Sequence, residues 1–414
     1  MKTLWLLLLA LGLALAQGGQ VVGVYTLPPT PITALNPHLT AEEIAAALQA
    51  GWPTDRLPAL GSGLAYLGNG RFVGLTDRGP NGDCPGGKSF PLPRFAPTLA
   101  LFRLEGREIK LERALPLRNL GGKPITGLPN LPGEDVPFTD KGCQGRLPLD
   151  PDGLDPEDVA VGPDGAFWLV EENSPSLVHA DPEGRILMRY TPQGVRLNAS
   201  YPVRDILPPI LRQRRNNRGL ENLALSGDRK TAWILLQSPI GSTKDPAFDG
   251  SLVARAVRLD VSDPLRARVT GMYLVPFSDP KDYPKPNRPR DLKYSAATWL
   301  KEEKLLLLER AEGGARIFLV DFAKATNLLE HPEGSSPELD KAGVDYRAKG
   351  IALPERRLLL DTWRLPEIDT DKLEGLALLE DGQTLAIAND NDFAITGTEG
   401  PFRIWLVRLG EKLR

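Results

Sequence analysis

One short phrase recurs along the chain and limits what it can fold into. Glu157-Asp158-Val159-Ala160 stands ahead of GPDGAFWLVEEN, Glu221-Asn222-Leu223-Ala224 ahead of SGDRKTAWILLQS, and Glu374-Gly375-Leu376-Ala377 ahead of LEDGQTLAIANDND. Each copy reads as a short strand, a turn carrying Asp-Gly or Gly-Asp, and a second strand. Two weaker copies share the frame: Ser62-Gly63-Leu64-Ala65 before GNGRFVGLTDRG, and Ser295-Ala296-Ala297 before KEEKLLLLERAE. The anchors at 62, 157, 221, 295 and 374 are separated by 95, 64, 74 and 79 residues. These intervals exceed the roughly 40–50 residues of a compact propeller blade, so the excess is read as insertion loops.

Apolar, partly β-branched runs follow each hairpin (SLVHADPEGRILMRYTP, SLVARAVRLDVSDP, ARIFLVDF, and the less regular FRIWLVRLG), giving each unit three or four strands. Radial repetition of small antiparallel sheets hides the edges of many short strands. The expected fold class is therefore all-β, a single β-propeller of five or six blades with long loop insertions. A pair of β-sandwiches is the alternative, but sandwich strands have no common axis on which one anchor residue would recur. QVVGVYTL at 20–27 is a strand without a repeat partner, placed to close the ring against the last unit. Thr40 and Glu43 make a capping-box pattern for one short helix, Thr40 to Ala50. Insertions at about 113–150 and 279–290 are rich in Pro, the first also in Gly, and are expected over one face.

The chain opens Met1-Lys2-Thr3, continues through an apolar run from Leu4 to Leu15, and reaches Ala14-Leu15-Ala16 before Gln17. A basic start, a short apolar centre and an A-x-A end read as a signal peptide over 1–16, leaving 17–414 as one exported domain, periplasmic or extracellular. The run is too short for a typical transmembrane helix, so no stable membrane insertion is expected. In an exported chain, Cys84 and Cys143, the only two cysteines, favour a disulfide pinning a long excursion over free thiols. With 41% hydrophobic residues among 414 the chain can bury a real core, and 50 Lys+Arg against 53 Asp+Glu, net −3, gives no footing for nucleic acid.

In a propeller, equivalent positions of successive inner strands meet near the axis. Glu157, Glu221 and Glu374 would then converge, and clustered carboxylates raise one another's pKa unless a cation neutralises them. A hard divalent cation held by oxygens, calcium before other metals, resolves that conflict, with Asp77 as a further ligand. The ends of the second strands add Glu171, Glu172, Gln237, Glu309 and Asp390, the last flanked by Asn389 and Asn391. Solvated hairpin ends are the plainer reading of such residues. Among basic residues Arg78, next to Asp77, and Arg218, three before Glu221, are the candidates for an anionic substrate, while Arg212 and Arg214 read as a solvated loop. His38, His179 and His331 are the only histidines and none stands in a nucleophile or zinc motif.

The phrases GLAYLGNGRFVGLTDRGPN, GLDPEDVAVGPDGAFWLVEENSPSLVHADPEGRIL, NRGLENLALSGDRKTAWILLQSP, LLLLER and LEGLALLEDGQTLAIANDND together resemble the exported proteins with a phytase-like domain and a proposed esterase-like activity. The resemblance spans about 61–392. It implies a propeller, cleavage of phosphate or other esters, calcium by analogy with propeller phytases, and recurrent site positions at Asp77, Arg78, Glu157, Glu172, Arg218, Glu221, Gln237, Glu309, Glu374 and Asp390. Ser62 and Ser295 depart from it, standing where glutamates would complete the ring. The expectation is a monomeric, calcium-dependent ester hydrolase acting on a small molecule at the channel. Glu157, Glu221, Glu374 and Asp77 would hold metal; Arg78, Arg218 and Gln237 would bind substrate; one of Glu172, Glu309 or Asp390 would act as base. A lactonase or arylesterase, or a non-catalytic binding propeller stapled by its metal, are the rivals.

Overall fold

The computed structural model describes residues 18–52, 56–133, 135–397 and 399–414, so the signal-peptide reading of 1–16 lies outside the described residues. After β1 (Gly19–Thr26), the first blade is β2 (Gly63–Gly68), β3 (Arg71–Leu75), β6 (Thr98–Glu105) and β7 (Glu108–Pro116). Between β3 and β6 the chain makes an excursion through β4 (Gly82–Cys84) and β5 (Gly87–Ser89), and β8 (Pro137–Phe138) later joins β5 in a small separate sheet. The second blade is β9 (Pro156–Val161), β10 (Phe167–Glu171), β11 (Ser176–Ala180) and β12 (Ile186–Pro192), with β13 (Val203–Leu207) added in parallel outside it. The third is β14 (Leu220–Leu225), β15 (Thr231–Leu236), β16 (Val253–Asp260) and β17 (Arg268–Pro276); the fourth is β18 (Lys293–Lys301), β19 (Lys304–Ala311), β20 (Gly314–Asp321) and β21 (Glu355–Asp361). The fifth blade holds β22 (Leu373–Leu378), β23 (Thr384–Asn389) and β24 (Arg403–Leu409), and β1 completes it as the outermost strand, antiparallel to β24. A single parallel bridge, Thr26 to Glu108, ties β1 to β7 and so joins the outer edges of blades one and five.

The five inner strands β2, β9, β14, β18 and β22 each touch the next, and β22 returns to β2, so the ring is closed. Strand periodicity explains why the second strands of the blades read as unbroken apolar runs rather than alternating ones. In β19, Leu305 and Leu307 pack toward the third blade while Leu306 and Leu308 pack toward the fifth. In β15, Trp233 and Leu235 face the fourth blade while Ala232, Ile234 and Leu236 face the second. Successive side chains point to opposite faces of a strand, and a blade in a ring has a neighbour on both faces, so both sets are buried. Five apolar layers result, one between each pair of neighbouring blades, the last made by Phe72, Ala100 and Phe102 of blade one against Ala386, Ala388 and Ile404 of blade five.

Helix Ala41–Gln49 carries the expected capping box, with Thr40 accepting from the Glu43 amide and Glu43 from the Thr40 amide. Cys84 and Cys143 are disulfide-bonded across 59 residues. Asn81 and Lys88 of that excursion, and Arg288 and Arg290 of the proline-rich insertion, reach the same end of the ring, where the candidate site lies.

Candidate functional site

The recurring polar anchor has a structural cause. In every inner strand after the first, the antiparallel register slips at the anchor: Pro156 and Asp158, Leu220 and Asn222, Tyr294 and Ala296, Leu373 and Gly375 are paired, and Glu157, Glu221, Ser295 and Glu374 are passed over. Each anchor is thus the extra residue of a β-bulge, which bends the strand and re-aims one side chain. The hairpin closes again two residues earlier, where the amides of Glu172, Gln237 and Asp390 donate to the carbonyls of Asp155, Gly219 and Lys372. Gly219 is required there, because a Cβ on it would lie 1.9 Å from the Glu172 carbonyl oxygen of the neighbouring blade.

The bulges at Glu157, Glu221 and Glu374 direct their side chains into a cavity of about 130 Å³ at one mouth of the channel. Asp77, Arg78, Glu157, Glu172, Glu221, Gln237, Glu374 and Asp390 all line it. Sequence reading missed Asp155, which packs beneath the rim, and Lys293, Arg310 and Lys372, which line it. A usable signal was present, since Asp155, Lys293 and Lys372 each stand two residues before an anchor, the position that the register brings to the same rim.

Two expected residues lie elsewhere. Glu309 is fully buried away from the cavity, accepting from the Ser278 amide at 3.1 Å, the Tyr283 hydroxyl at 3.0 Å and Arg356 Nη2 at 2.7 Å. The cavity-facing residue of that strand is Arg310, because Glu309 pairs with Tyr294 and Arg310 with Lys293. A shift of one residue along a strand turns a side chain to the opposite face. Arg218 lies in an adjoining pocket, with its charge still felt by Glu221 and Glu172. Glu171, noted with Glu172 at the same strand end, is likewise turned away and pairs with Arg189 at 3.0 Å.

Charges around the mouth are densely interleaved. Arg78 reaches Asp155, Glu172 at 3.4 Å, Asp135 at 3.5 Å and Asn217. Arg310 pairs with Glu374 and donates through Nε to Ser295 Oγ at 2.8 Å, so the serine that replaces a glutamate in the fourth unit supports a cation. Lys372 donates to Asp390 at 2.6 Å and to Asp392. Burial, then the neighbouring Asp155, lifts Glu172 to about 7 despite Arg78. Burial and Glu374 lift Glu221 to about 8. Glu157 is pushed well up by burial and then by Asp155, Glu172, Glu221 and Asp77, and Asp77 by burial, Asp390 and Asp155. Arg310, then burial and Arg218, bring Lys293 down to about 8.

Asp155, Glu157 and Glu172 present oxygens that all lie within 4.8 Å of one another. Three hard oxygen donors at that spacing suit a calcium-like cation, which takes its ligands at about 2.3–2.6 Å. Gln237 adds an amide oxygen, buried and without a hydrogen-bond donor. The residues present therefore fit a divalent cation, and its entry would relieve the repulsion among carboxylates that adds to burial in pushing Glu157 up.

A sequence model of the phytase-like family, described as esterase-like activity of phytase, matches residues 56–393. The chain belongs to that family. A relative from Arthroderma benhamiae described as an uncharacterized secreted protein is 30% identical over 243 residues, which are 50% of this chain and 46% of the relative. The chain thus spans about half the length of this curated relative. Among solved structures, the calcium-binding protein regucalcin from Agrobacterium tumefaciens is 13% identical at a TM-score of 0.37, covering 86% of this chain and 92% of its own. A gluconolactonase from Xanthomonas campestris is 12% identical at a TM-score of 0.30, covering 95% and 98%. Among the described residues no helix is long and apolar enough to cross a membrane.

Proposed function

We propose that this phytase-like propeller is an exported hydrolase of small phosphate esters that works at the channel mouth and depends on a divalent cation, calcium before others. The observation that carries the reading is the meeting of Asp155, Glu157 and Glu172 within 4.8 Å beside the Arg78 guanidinium, an oxygen cage for a cation next to a fork for an oxyanion. A bound cation supplies Lewis-acid polarisation of the ester's oxygens. Arg78, fixed by Asp155, Glu172 and Asn217, orients the anionic group and stabilises charge that develops on it. Water attacks phosphorus as the bond to the leaving oxygen breaks, the proton of Glu221, whose carboxyl burial and Glu374 lift to about 8, passes to that leaving oxygen, and the attacking water gives up its proton to solvent. Asp390, tied to Lys372, is read as a support rather than a base.

Size bears on the substrate. A cavity of about 130 Å³ holds about four waters at their liquid volume of about 30 Å³ each. One phosphoryl group fits inside, and the rest of the ester lies outside. Support for export comes from the leader-like residues 1–16 and the secreted description of the relative.

The test is elemental analysis of the purified mature protein, followed by hydrolysis of a phosphomonoester, phytate and a lactone with and without chelator. Expected are bound calcium and phosphomonoester turnover that is lost on chelation and restored by calcium. Glu157→Gln should lose both the ion and turnover, while Glu221→Gln keeps the ion and loses about 10²–10⁴ in kcat. Absence of metal and of turnover in the wild type would overturn the reading, and turnover of the lactone alone would reassign the substrate.

A further inference from the structure

Beside the channel mouth lies a larger pocket, about 680 Å³, whose wall carries Arg214, Arg215, Arg218, Arg288 and Arg290. Backbone geometry builds it. Arg215 and Arg218 pair across a tight turn through Asn216 and Asn217, with Asn217 at φ 52°, and directly paired residues project from the same face. Asn217 in turn accepts from Arg78, so the turn is anchored to the channel rim.

Although Asp291 also lines the pocket, Arg214, Arg215 and Arg218 are poorly neutralised. Arg214 donates to the carbonyls of Arg215 and Asn173, Arg215 to those of Gly241 at 3.2 Å and Phe248 at 2.6 Å, and Arg218 to that of Arg290 at 3.2 Å. Among the described residues none of the three forms an ion pair with a carboxylate, whereas Arg288 pairs with Asp291 at 3.1 Å and Arg290 with Asp249 at 3.3 Å. Arg215 is 8% exposed and its Nη1 has no hydrogen-bond partner. A buried guanidinium N–H left unpaired is costly. Burial, then Arg218, lowers Arg215 to about 10, in line with an uncompensated cluster.

We infer that this pocket is a second site that takes a multiply charged oxyanion, a phosphate or polycarboxylate group, on Arg215, Arg218 and Arg290. The inference does not rest on the hydrolase reading, because the pocket's donors lie outside the channel cavity and need no cation. The charge balance of the whole chain conceals it, since net −3 is compatible with a local excess of arginines.

The experiment is calorimetric titration of the full mature protein with inorganic phosphate and, in a separate arm, with citrate, in chelator so that no channel cation can hold the anion. Saturable binding is expected, about tenfold weaker in Arg290→Gln, lost in Arg215→Gln and unchanged in Glu157→Gln. Arg290→Gln touches only a surface ion pair, so the test survives if Arg215→Gln does not fold. Tighter binding of citrate than of phosphate would assign the site to carboxylates, and the reverse to phosphoryl groups. No saturable binding of either anion, or binding that Arg290→Gln leaves intact, overturns the inference.

Discussion

At the scale of single residues, adjacent side chains on one strand have opposite fates. Glu309 and Arg310 follow one another in LLLLER, yet the first serves as a buried partner of Arg356 and the second lines the cavity. Breaking a buried pair leaves an uncompensated charge, at about 3–5 kcal/mol. Glu309→Gln is therefore expected to lower stability in denaturant titration by an amount of that order, with kcat per folded molecule unchanged. Loss of turnover at full stability would restore Glu309 to the site. A second prediction concerns pH. Glu172 at about 7 and Glu221 at about 8 both stand above the ordinary 4.5 of an unfolded chain. Between that value and theirs the folded state holds more protons than the unfolded one, so stability falls as pH rises through the window. In chelator, Tm should be higher near about pH 5 than near about pH 8, and calcium should raise Tm more at the higher pH, where fewer protons must leave. A Tm gain from calcium that is equal at both would contradict the assignment of these acids to the mouth.

At the scale of elements, the inner strands need something to hold them around an axis, and Asp158 is placed to do so. Its carboxylate accepts from the amides of Val159 and Leu223, both at 2.8 Å, with further amide contacts from Leu64 and Ala297. These four residues occupy the same place in four successive copies of the repeat, so one side chain ties four blades. Gly63 makes room for it, since a Cβ there would lie 2.7 Å from the Asp158 Cα. Asp158→Ala would orphan buried amides at about 1–3 kcal/mol each. The expected result is a large fall in Tm with cation binding at the mouth retained in the folded fraction. An unchanged Tm would remove Asp158 from this role. Its second position in the repeat was readable in EDVA, but its partners were not, because they belong to strands far away in sequence.

At the scale of the whole molecule, the first and last described strands meet, β1 beside β24, and clasp the fifth blade. A deletion of Gly19–Thr26 should expose the edge of β24 and replace a single cooperative unfolding transition by an earlier, broader one with aggregation, measured by calorimetry and light scattering. Retention of a sharp transition at the original Tm would show that the ring holds without its clasp. The lone strand at 20–27, the repeated anchor, the helix cap and the pairing of Cys84 with Cys143 were all legible beforehand, because periodicity, capping and cysteine chemistry are local or compositional. The sequence by itself therefore determined the fold class and most of the acidic rim, through anchors that recur once per blade. Tertiary structure alone decided that the anchors are bulges and that Arg310 and not Glu309 faces the cavity. It also decided that Arg215, inside a run that reads as solvated, is buried with a donor unpaired. The physical reason is common to all of these: register and blade contact fix which way a side chain points, and both are set by hydrogen bonds to strands and turns that the local sequence does not contain.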